Sequence, residues 1–456
     1  MVFQKTRGES SGILGMQSDL VILGSGIGGS ITALIANQMG MDVILVEQSS
    51  HPRFAIGESS TPQADIALAN IATKYNLPRL APLARYGTWK QTYPELGCGP
   101  KRGFTYIHHP NIENELLVES SPDGIDCDSN WLRSDLDAFL VEEVKRTGIS
   151  YFDNTSVTLH EDDGWKLEAD NLSCTTKFLI DATGGSNPLG IEQDCSSFHT
   201  NSRAIYSHFN GVSSWGKLHG KQKHPYPCHD SALHHIFHGG WMYVLHFDSG
   251  VTSAGFVLDN ASRPNDTWES LMAEFPDIQK QFEHATPIRP IVETTRLQRY
   301  AKQIVGENWA MLPHSAFFID PLHSTGIAHT LYGIDLLMQN IGTASGLQNY
   351  KEIIQNQARL VDQLIHGSYC CFHDFDMFSQ FVMLYFAGAD YTERQRRAGH
   401  APDFLHANDQ AFCKTVGTFY THVSNGTFNP NDVRAAIEPW NMVGFCDPSK
   451  NNMYTH

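Results

Sequence analysis

Asp19-Leu-Val-Ile-Leu-Gly24-Ser-Gly26-Ile-Gly-Gly29, continued by Ser30 to Met39, Gly40 and Asp42-Val-Ile-Leu-Val46-Glu47, is the stretch that decides the fold. An apolar run of strand length enters a glycine turn, a helical stretch follows, Gly40 ends it, and a second apolar run closes on an acid. That pattern is a dinucleotide-binding βαβ unit and predicts an α/β fold of Rossmann type. Gly24 permits the tight turn, Gly26 lets the backbone approach a pyrophosphate, and Gly29 lets helix and strand pack closely. The helix N-terminus adds free N–H groups and a positive dipole end. Glu47 stands 23 residues after Gly24, where a carboxylate binds adenosine ribose hydroxyls.

A chain of 456 residues can bury a large core and form two or three packed units. The net charge of −17 argues against a nucleic-acid partner, and Arg394-Gln-Arg-Arg397 reads as a solvated helix face. Nine cysteines without a C-x-x-C pair fit a reducing cytoplasm rather than a disulfide framework. Residues 1–17 are polar and glycine-rich, without a signal-length apolar core, and no stretch reaches membrane-spanning length, so neither a leader nor a membrane partner is expected. Among 23 histidines, His234, His235 and His238 cluster in a strand-like segment. Neighbours on a strand point to opposite faces, so no metal site is expected.

Beyond Glu47 an irregular Pro-, Ser- and His-rich stretch leads through Gly57-Glu58-Ser59-Ser60-Thr61-Pro62 into a helix ending near Tyr75. Trp131 introduces an amphipathic helix with Leu132, Leu136, Phe139, Leu140 and Val144 on one face, stopped by Gly148. Phe178-Leu-Ile-Asp181-Ala-Thr-Gly184 is an apolar strand ending in an acid and a glycine. Segments 204–209, 241–247 and 253–258 predict a separate β-rich unit. The chain then returns to the first unit through Trp309-Ala-Met-Leu312 and a helix from about Ser324 to Gln339. The expected organisation is a first part of the nucleotide domain at 18–195, a β-rich substrate domain at 196–295, a return segment at 296–345 and a helical region at 346–456.

Taken together, these segments resemble the flavin-dependent halogenases, within the FAD monooxygenases built like p-hydroxybenzoate hydroxylase. The resemblance implies FAD as the dinucleotide, bound through the βαβ unit, with Gly57, Glu58 and Ser59 matching the family's G-E-S segment along the flavin. Ser59, Ser60 or Thr61 also reads as a cap for the helix that follows. Arg133 matches an arginine near the FAD phosphates, and Asp181 and Asp320 fall in further cofactor segments. Lys101, in Gly99-Pro-Lys101-Arg-Gly103-Phe-Thr-Tyr106, matches the catalytic lysine between flavin and substrate. Hypohalous acid must be polarised by a donor or trapped as a haloamine, and an ammonium on a flexible stem can do either. Asp320-Pro321-Leu322-His323-Ser324-Thr325-Gly326 resembles the segment whose Thr-Gly backbone lines a halide site, which assigns Thr325 and Gly326 to chloride or bromide and Gly326 also to FAD. A helix beginning there would offer N–H groups to an anion.

The chain also departs from the family at named places. His323 stands where tryptophan-directed halogenases carry glutamate. Trp241 keeps the first position of the W-x-W-x-I-P segment, but Tyr243, Leu245 and His246 replace the rest; Trp241, Tyr243 and Leu245 also alternate as one buried face of a strand would. His314 replaces the aspartate that takes a flavin ribityl hydroxyl, and its titration near neutrality predicts FAD binding that varies between about pH 5 and 8. Trp241, Tyr243 and His323 are the candidate substrate-pocket residues. The resemblance implies an enzyme using reduced FAD, dioxygen and halide on an electron-rich aromatic or pyrrole-like ring, free or carrier-bound, with electrons from a separate flavin reductase. A halide-independent monooxygenase or epoxidase and a non-catalytic flavin-binding protein are the alternatives.

Overall fold

The computed structural model describes residues 15–121, 123–220 and 224–455; residues 1–14, on which the reading of a leader-free start mostly falls, lie outside them. Two sheets organise those residues. The first is seven-stranded: Ser150–Phe152, Val43–Val46, Met16–Leu23 and Leu172–Asp181 run parallel side by side, followed by Gly164–Ala169 and Thr158–Asp162. The strand Leu172–Asp181 is shared between two neighbours. Its first half pairs antiparallel with Gly164–Ala169, and its last residues pair parallel with Trp309–Met311, so the chain does return to this sheet. The parallel strands are apolar where they run side by side, and Leu20, Val21, Ile22, Ile44, Leu45, Leu179 and Ile180 are fully buried. The first strand begins at Met16, earlier than its apolar run, because Met16, Gln17 and Ser18 still find partners in Cys174, Thr175 and Thr176.

The second sheet is nine-stranded and reaches outside 196–295. Its centre is Ser202–Asn210, Val251–Asp259, Gly240–His246 and Ala232–Phe237. Gly103–His108 then pairs parallel with Ala232–Phe237, Glu115–Glu119 follows, and Met453–Tyr454 closes that edge from the region expected to be helical. Strands from three parts of the chain thus cover what would otherwise be an exposed edge. Burial in Gly240–Leu245 is also continuous rather than alternating. Trp241, Tyr243 and Leu245 face the main core, whereas Met242 and Val244 face a second cluster with Phe237, Phe256, Leu271 and Ile278. A strand covered on both sides loses its polar face, which is why the expected single buried face is only half of the picture.

The helix Ala344–Cys371 packs against Thr325–Asn340 and Gln410–Ser424 and joins the helical region to both sheets. Asp362, buried on this helix, accepts from the backbone N–H groups of His199 and Thr200 at 2.8 and 3.1 Å and from the Thr200 hydroxyl at 2.7 Å. Removing the carboxylate strands three donors, two of them backbone groups that nothing else can turn to. Asp362→Ala should therefore lower the unfolding free energy by about 3 kcal/mol in a urea titration, with a smaller loss for Asp362→Asn, which keeps one acceptor oxygen. A loss below about 1 kcal/mol would show that this tie does not hold the two regions together.

Candidate active site

The glycine turn is fixed by contact rather than by composition. Gly24 has φ +94° and a Cβ there would lie 2.6 Å from the Ala182 carbonyl oxygen, while a Cβ on Gly29 would lie 1.8 Å from that of Gly24. Neither position admits a side chain. Gly26 differs, because a Cβ there would meet the guanidinium groups of Arg133 and Arg53 at 3.4 and 3.5 Å, with no backbone in the way. Two cations thus converge on the open N-terminus of the helix Ile27–Gln38, which has no side-chain cap. Arg133 is no loose surface charge: Asp137 grips it through two hydrogen bonds of 2.9 and 2.8 Å, and it donates to the Ile56 carbonyl at 3.0 Å. Free helix N–H groups, a bare glycine and two oriented arginines form an anion site of the size and charge a pyrophosphate needs.

Glu47 is buried beside it. Its carboxylate accepts from Ser25 N–H at 2.9 Å, Ser25 Oγ at 3.1 Å and Ser49 N–H at 3.0 Å, with Arg53 at 3.6 Å. Of its roughly four acceptor positions about one remains for a ribose hydroxyl. A cavity of about 290 Å³ runs past Gly24, Glu47, Arg53, Thr155 and Thr183. The residues present fit the adenosine diphosphate half of FAD. Arg53 was not singled out from the sequence, although a cation soon after an acid that follows a phosphate turn is a legible signal.

Asp181 and Asp320, expected at the cofactor, each have protein partners of their own. Asp181 is fully buried and accepts from Thr183 N–H at 2.9 Å and Thr183 Oγ1 at 2.8 Å, so its carboxylate shapes the turn against Gly24. Asp320 accepts from Ser202 Oγ at 2.7 Å, Tyr369 Oη at 2.8 Å and Leu322 N–H at 3.1 Å. Its carboxylate is a knot between the second sheet, the loop before Thr325–Asn340 and the long helix, and burial against those bonds pushes its pKa up to about 6. Trp241 belongs to the same knot rather than to an open pocket wall: its fully buried indole donates to Tyr369 Oη at 3.1 Å. Asp181 thus serves its own turn, whereas Asp320 and Trp241 tie three separate elements together through Tyr369.

His314 opens the short helical turn Pro313–Ala316 and faces the cleft beside Gly184, with Arg299 bonding both the His314 and Gly184 carbonyls at 3.1 and 3.2 Å. Desolvation first, then the Arg299 and Arg133 cations, press its pKa down toward about 3. The residue is exposed to the cleft, so the part of this shift that survives hydration comes from the two guanidinium groups. Both cations favour the neutral ring, so its midpoint is displaced downward from the ordinary histidine range.

At the flavin-side edge Gly57 has φ +90° and abuts Arg133, and Glu58 Oε1 lies 3.0 Å from His208 Nε2 with both residues buried. Ser59 bridges to Asn130, and its buried hydroxyl has no partner among the described residues. Thr61 takes the cap position of Pro62–Lys74 without a side-chain bond. Tyr243 presses its ring on Gly255, and its buried hydroxyl is likewise without a partner. His208 carried no sequence signal, because one histidine in a strand reads as core.

Lys101 ends the strand Cys98–Lys101 fully buried, donating from Nζ to the Ser60 carbonyl with its ammonium 4.0 Å over the Phe104 ring. Burial pulls its pKa down to about 8. Around it stands an aromatic chamber. His234 lies 5.9, 5.0 and 4.8 Å from Phe104, Tyr106 and Trp241, and His323 stacks on Tyr385 at 4.4 Å. Burial holds both histidines neutral, His323 at about 3, and Lys101 presses His234 further down. Next to His323, Ser324 has φ +52°, a left-handed conformation, and the helix Thr325–Asn340 starts from it; Gly326 has open space where a Cβ would stand. His234 interacts with both Lys101 and His323, which sets the start of the helix Thr325–Asn340, with its exposed Gly326, on the Lys101 side, whereas Gly26, Glu47 and Arg133 gather at the glycine turn.

Two measurements follow from this geometry. Gly26→Val should fold, since only flexible guanidinium groups need to move, yet weaken FAD by at least about tenfold, or about 1.4 kcal/mol, in a fluorescence titration; unchanged affinity would remove the pyrophosphate from this turn. FAD affinity should be flat between pH 5 and 8, and a midpoint in that window that vanishes in His314→Asn would show that the two arginines do not keep the ring neutral.

The tryptophan halogenase family profile matches residues 132–380. Monodechloroaminopyrrolnitrin halogenase PrnC of Pseudomonas fluorescens is 30% identical over 418 residues, covering 84% of this chain and 73% of that protein. Tetracycline 7-halogenase of Kitasatospora aureofaciens is 28% identical over 440 residues, covering 87% and 78%. The crystal structure of halogenase PltM superposes with a TM-score of 0.87 at 23% identity, covering 96% of this chain and 99% of that one, and shares its fold. The chain belongs to the flavin-dependent halogenase family of FAD-dependent oxidoreductases.

Proposed function

We propose that this enzyme halogenates an electron-rich aromatic or pyrrole-like ring, presented free or on a carrier, and that Lys101 delivers the halogen. The observation that carries the proposal is an ammonium with no exposed surface set between the Gly57–Ser60 segment and an aromatic chamber. Bound reduced FAD supplies the two electrons that, with dioxygen and halide, yield hypohalous acid, and a separate flavin reductase renews it. Similarity to the pyrrolnitrin-series and tetracycline halogenases supports a ring substrate.

The chain's own residues do the rest. Gly26, Arg53 and Arg133 hold the pyrophosphate, and Glu47 takes a ribose hydroxyl. Thr325 and Gly326 offer helix N–H groups to the halide. Lys101 donates a hydrogen bond to the hypohalous oxygen, which makes the halogen more electrophilic as it reaches the ring. With its pKa near 8, the lysine is mostly ammonium at neutral pH and mostly amine a unit or two above it. Phe104, Tyr106 and Tyr385 present ring faces and edges that suit a flat aromatic substrate. His323 and His234, both neutral, add no positive charge that would repel the cationic intermediate formed when a ring carbon takes the halogen.

Lys101→Ala should leave FAD affinity and oxygen consumption nearly unchanged while lowering halogenated product by about 10²–10⁴-fold, read by product assay with bromide against a panel of phenols and pyrroles. Full halogenation in the variant would take Lys101 out of the reaction. Oxygenated product formed by the parent enzyme without halide would replace the proposal with a monooxygenase.

A further inference from the structure

A buried ammonium needs counter-charge. The strand Cys98–Lys101 pairs antiparallel with Asp128–Trp131, which places Asp128 directly across from Lys101. Asp128 is fully buried and accepts from Ser120 Oγ at 2.9 Å. Asp65, in the first turn of Pro62–Lys74, is buried too and accepts from Ser60 Oγ at 2.6 Å. Ser60 is the residue whose carbonyl receives the lysine. The other oxygens, Asp65 Oδ2 and Asp128 Oδ1, have no hydrogen-bond donor among the described residues, and they lie 3.9 and 3.7 Å from the same Arg85 Nη1. Arg85 also reaches the exposed Asp126 at 3.5 Å.

The charges of this group close in one way. Arg85 is a permanent cation and Asp126 is solvated at the surface, so the buried part of the cluster is neutral when Lys101, Asp65 and Asp128 together carry a single negative charge. Two arrangements satisfy that condition: an ammonium with two carboxylates, or a neutral amine with one carboxyl and one carboxylate. The adjacent carboxyls favour holding a proton, since burial and the Asp128 charge raise Asp65 well above the usual carboxylate range. Glu393, on Met383–Arg397, faces the same group; burial pushes it up to about 8, opposed by Arg397 and Arg394 and reinforced by Asp390. It is therefore mostly neutral at pH 7 and leaves the balance unchanged.

We infer that Asp65 and Asp128 form the proton store of Lys101, a carboxyl pair that takes the lysine's proton or returns it while the net charge of the buried cluster stays constant. In the exchange an N–H bond of the ammonium breaks, an O–H bond forms within the pair, and no charge enters or leaves the protein interior. The lysine can thereby be donor and amine within one turnover. Asp65 and Asp128 are positioning residues, and their role rests on the reading of Lys101 as the relay.

Lysine labelled with ¹³C at the ε carbon, followed by NMR across pH in the FAD-loaded enzyme, reads the charge of Lys101 directly, its resonance being identified by its loss in Lys101→Arg. Asp65→Asn and Asp128→Asn should each move the Lys101 midpoint down by about one pH unit or more, and the pH profile of halogenation should move with it. Infrared difference spectra of the unmutated enzyme, recorded across the Lys101 titration, should show a buried protonated carboxyl in the fraction whose lysine is an amine, a band that Asp65→Asn or Asp128→Asn removes and Glu393→Gln does not. A Lys101 midpoint unmoved in both variants, or a carboxyl band lost only in Glu393→Gln, overturns the inference. A midpoint that moves while Lys101→Ala still halogenates fully keeps the carboxyl pair and instead defeats the relay reading.

Discussion

Everything in this protein is arranged around a backbone contact that leaves no room for a side chain. Gly29 lies against the Gly24 carbonyl and Gly24 against that of Ala182, so the first strand, the helix after it and the turn that ends Leu172–Asp181 meet with only hydrogens between them. That contact aims the open end of Ile27–Gln38 outward at the converging Arg53 and Arg133. It also sets the height of the Ala182–Gly184 turn, on which Arg299 and His314 then rest. A methyl group at Gly29 would move all of these by more than a hydrogen bond tolerates.

The βαβ unit was legible in the sequence because its determinants are local. Glycine spacing, apolar runs and a terminal acid lie within a single stretch, and the same holds for the helix starting at Ser324 and for the return strand Trp309–Met311. The second sheet was legible only in part. Its central strands alternate or run apolar as strands do, but that Gly103–His108 joins Ala232–Phe237 is a matter of topology and not of pattern. A periodicity argument buries Tyr243 and leaves Met242 on the opposite, open face, and only the helices on the far side show that both are covered.

For the site the division is similar. Gly26 and Gly326, expected to act through backbone, stand at the open helix starts where their motifs put them. Carboxylates were harder to read, since an Asp at a strand end is compatible with gripping a ligand, its own turn or a distant element; Asp181 holds its own turn and Asp320 ties Ser202 and Tyr369 together. Asp65 is the clearest case. An acid in the first turn of a helix ordinarily complements the dipole at the surface, and nothing in the sequence announces that α-helical packing will seal this one beside a lysine.

Lys101 becomes enclosed only when pieces from distant parts of the chain have come together. Asp65 and Asp128 flank it in sequence, but Phe104 is anchored through pairing with Ala232, and Tyr385 and Glu393 arrive with the helix Met383–Arg397. Contacts of such separation form late, after the local nucleotide unit. A half-folded chain therefore presents an ordinary, water-exposed lysine with no aromatic chamber, and it lacks the means to direct an oxidant. The timing of chemical competence is thus written into the order in which the chain folds: the lysine gains its lowered proton affinity and its ring chamber together, as the last elements close.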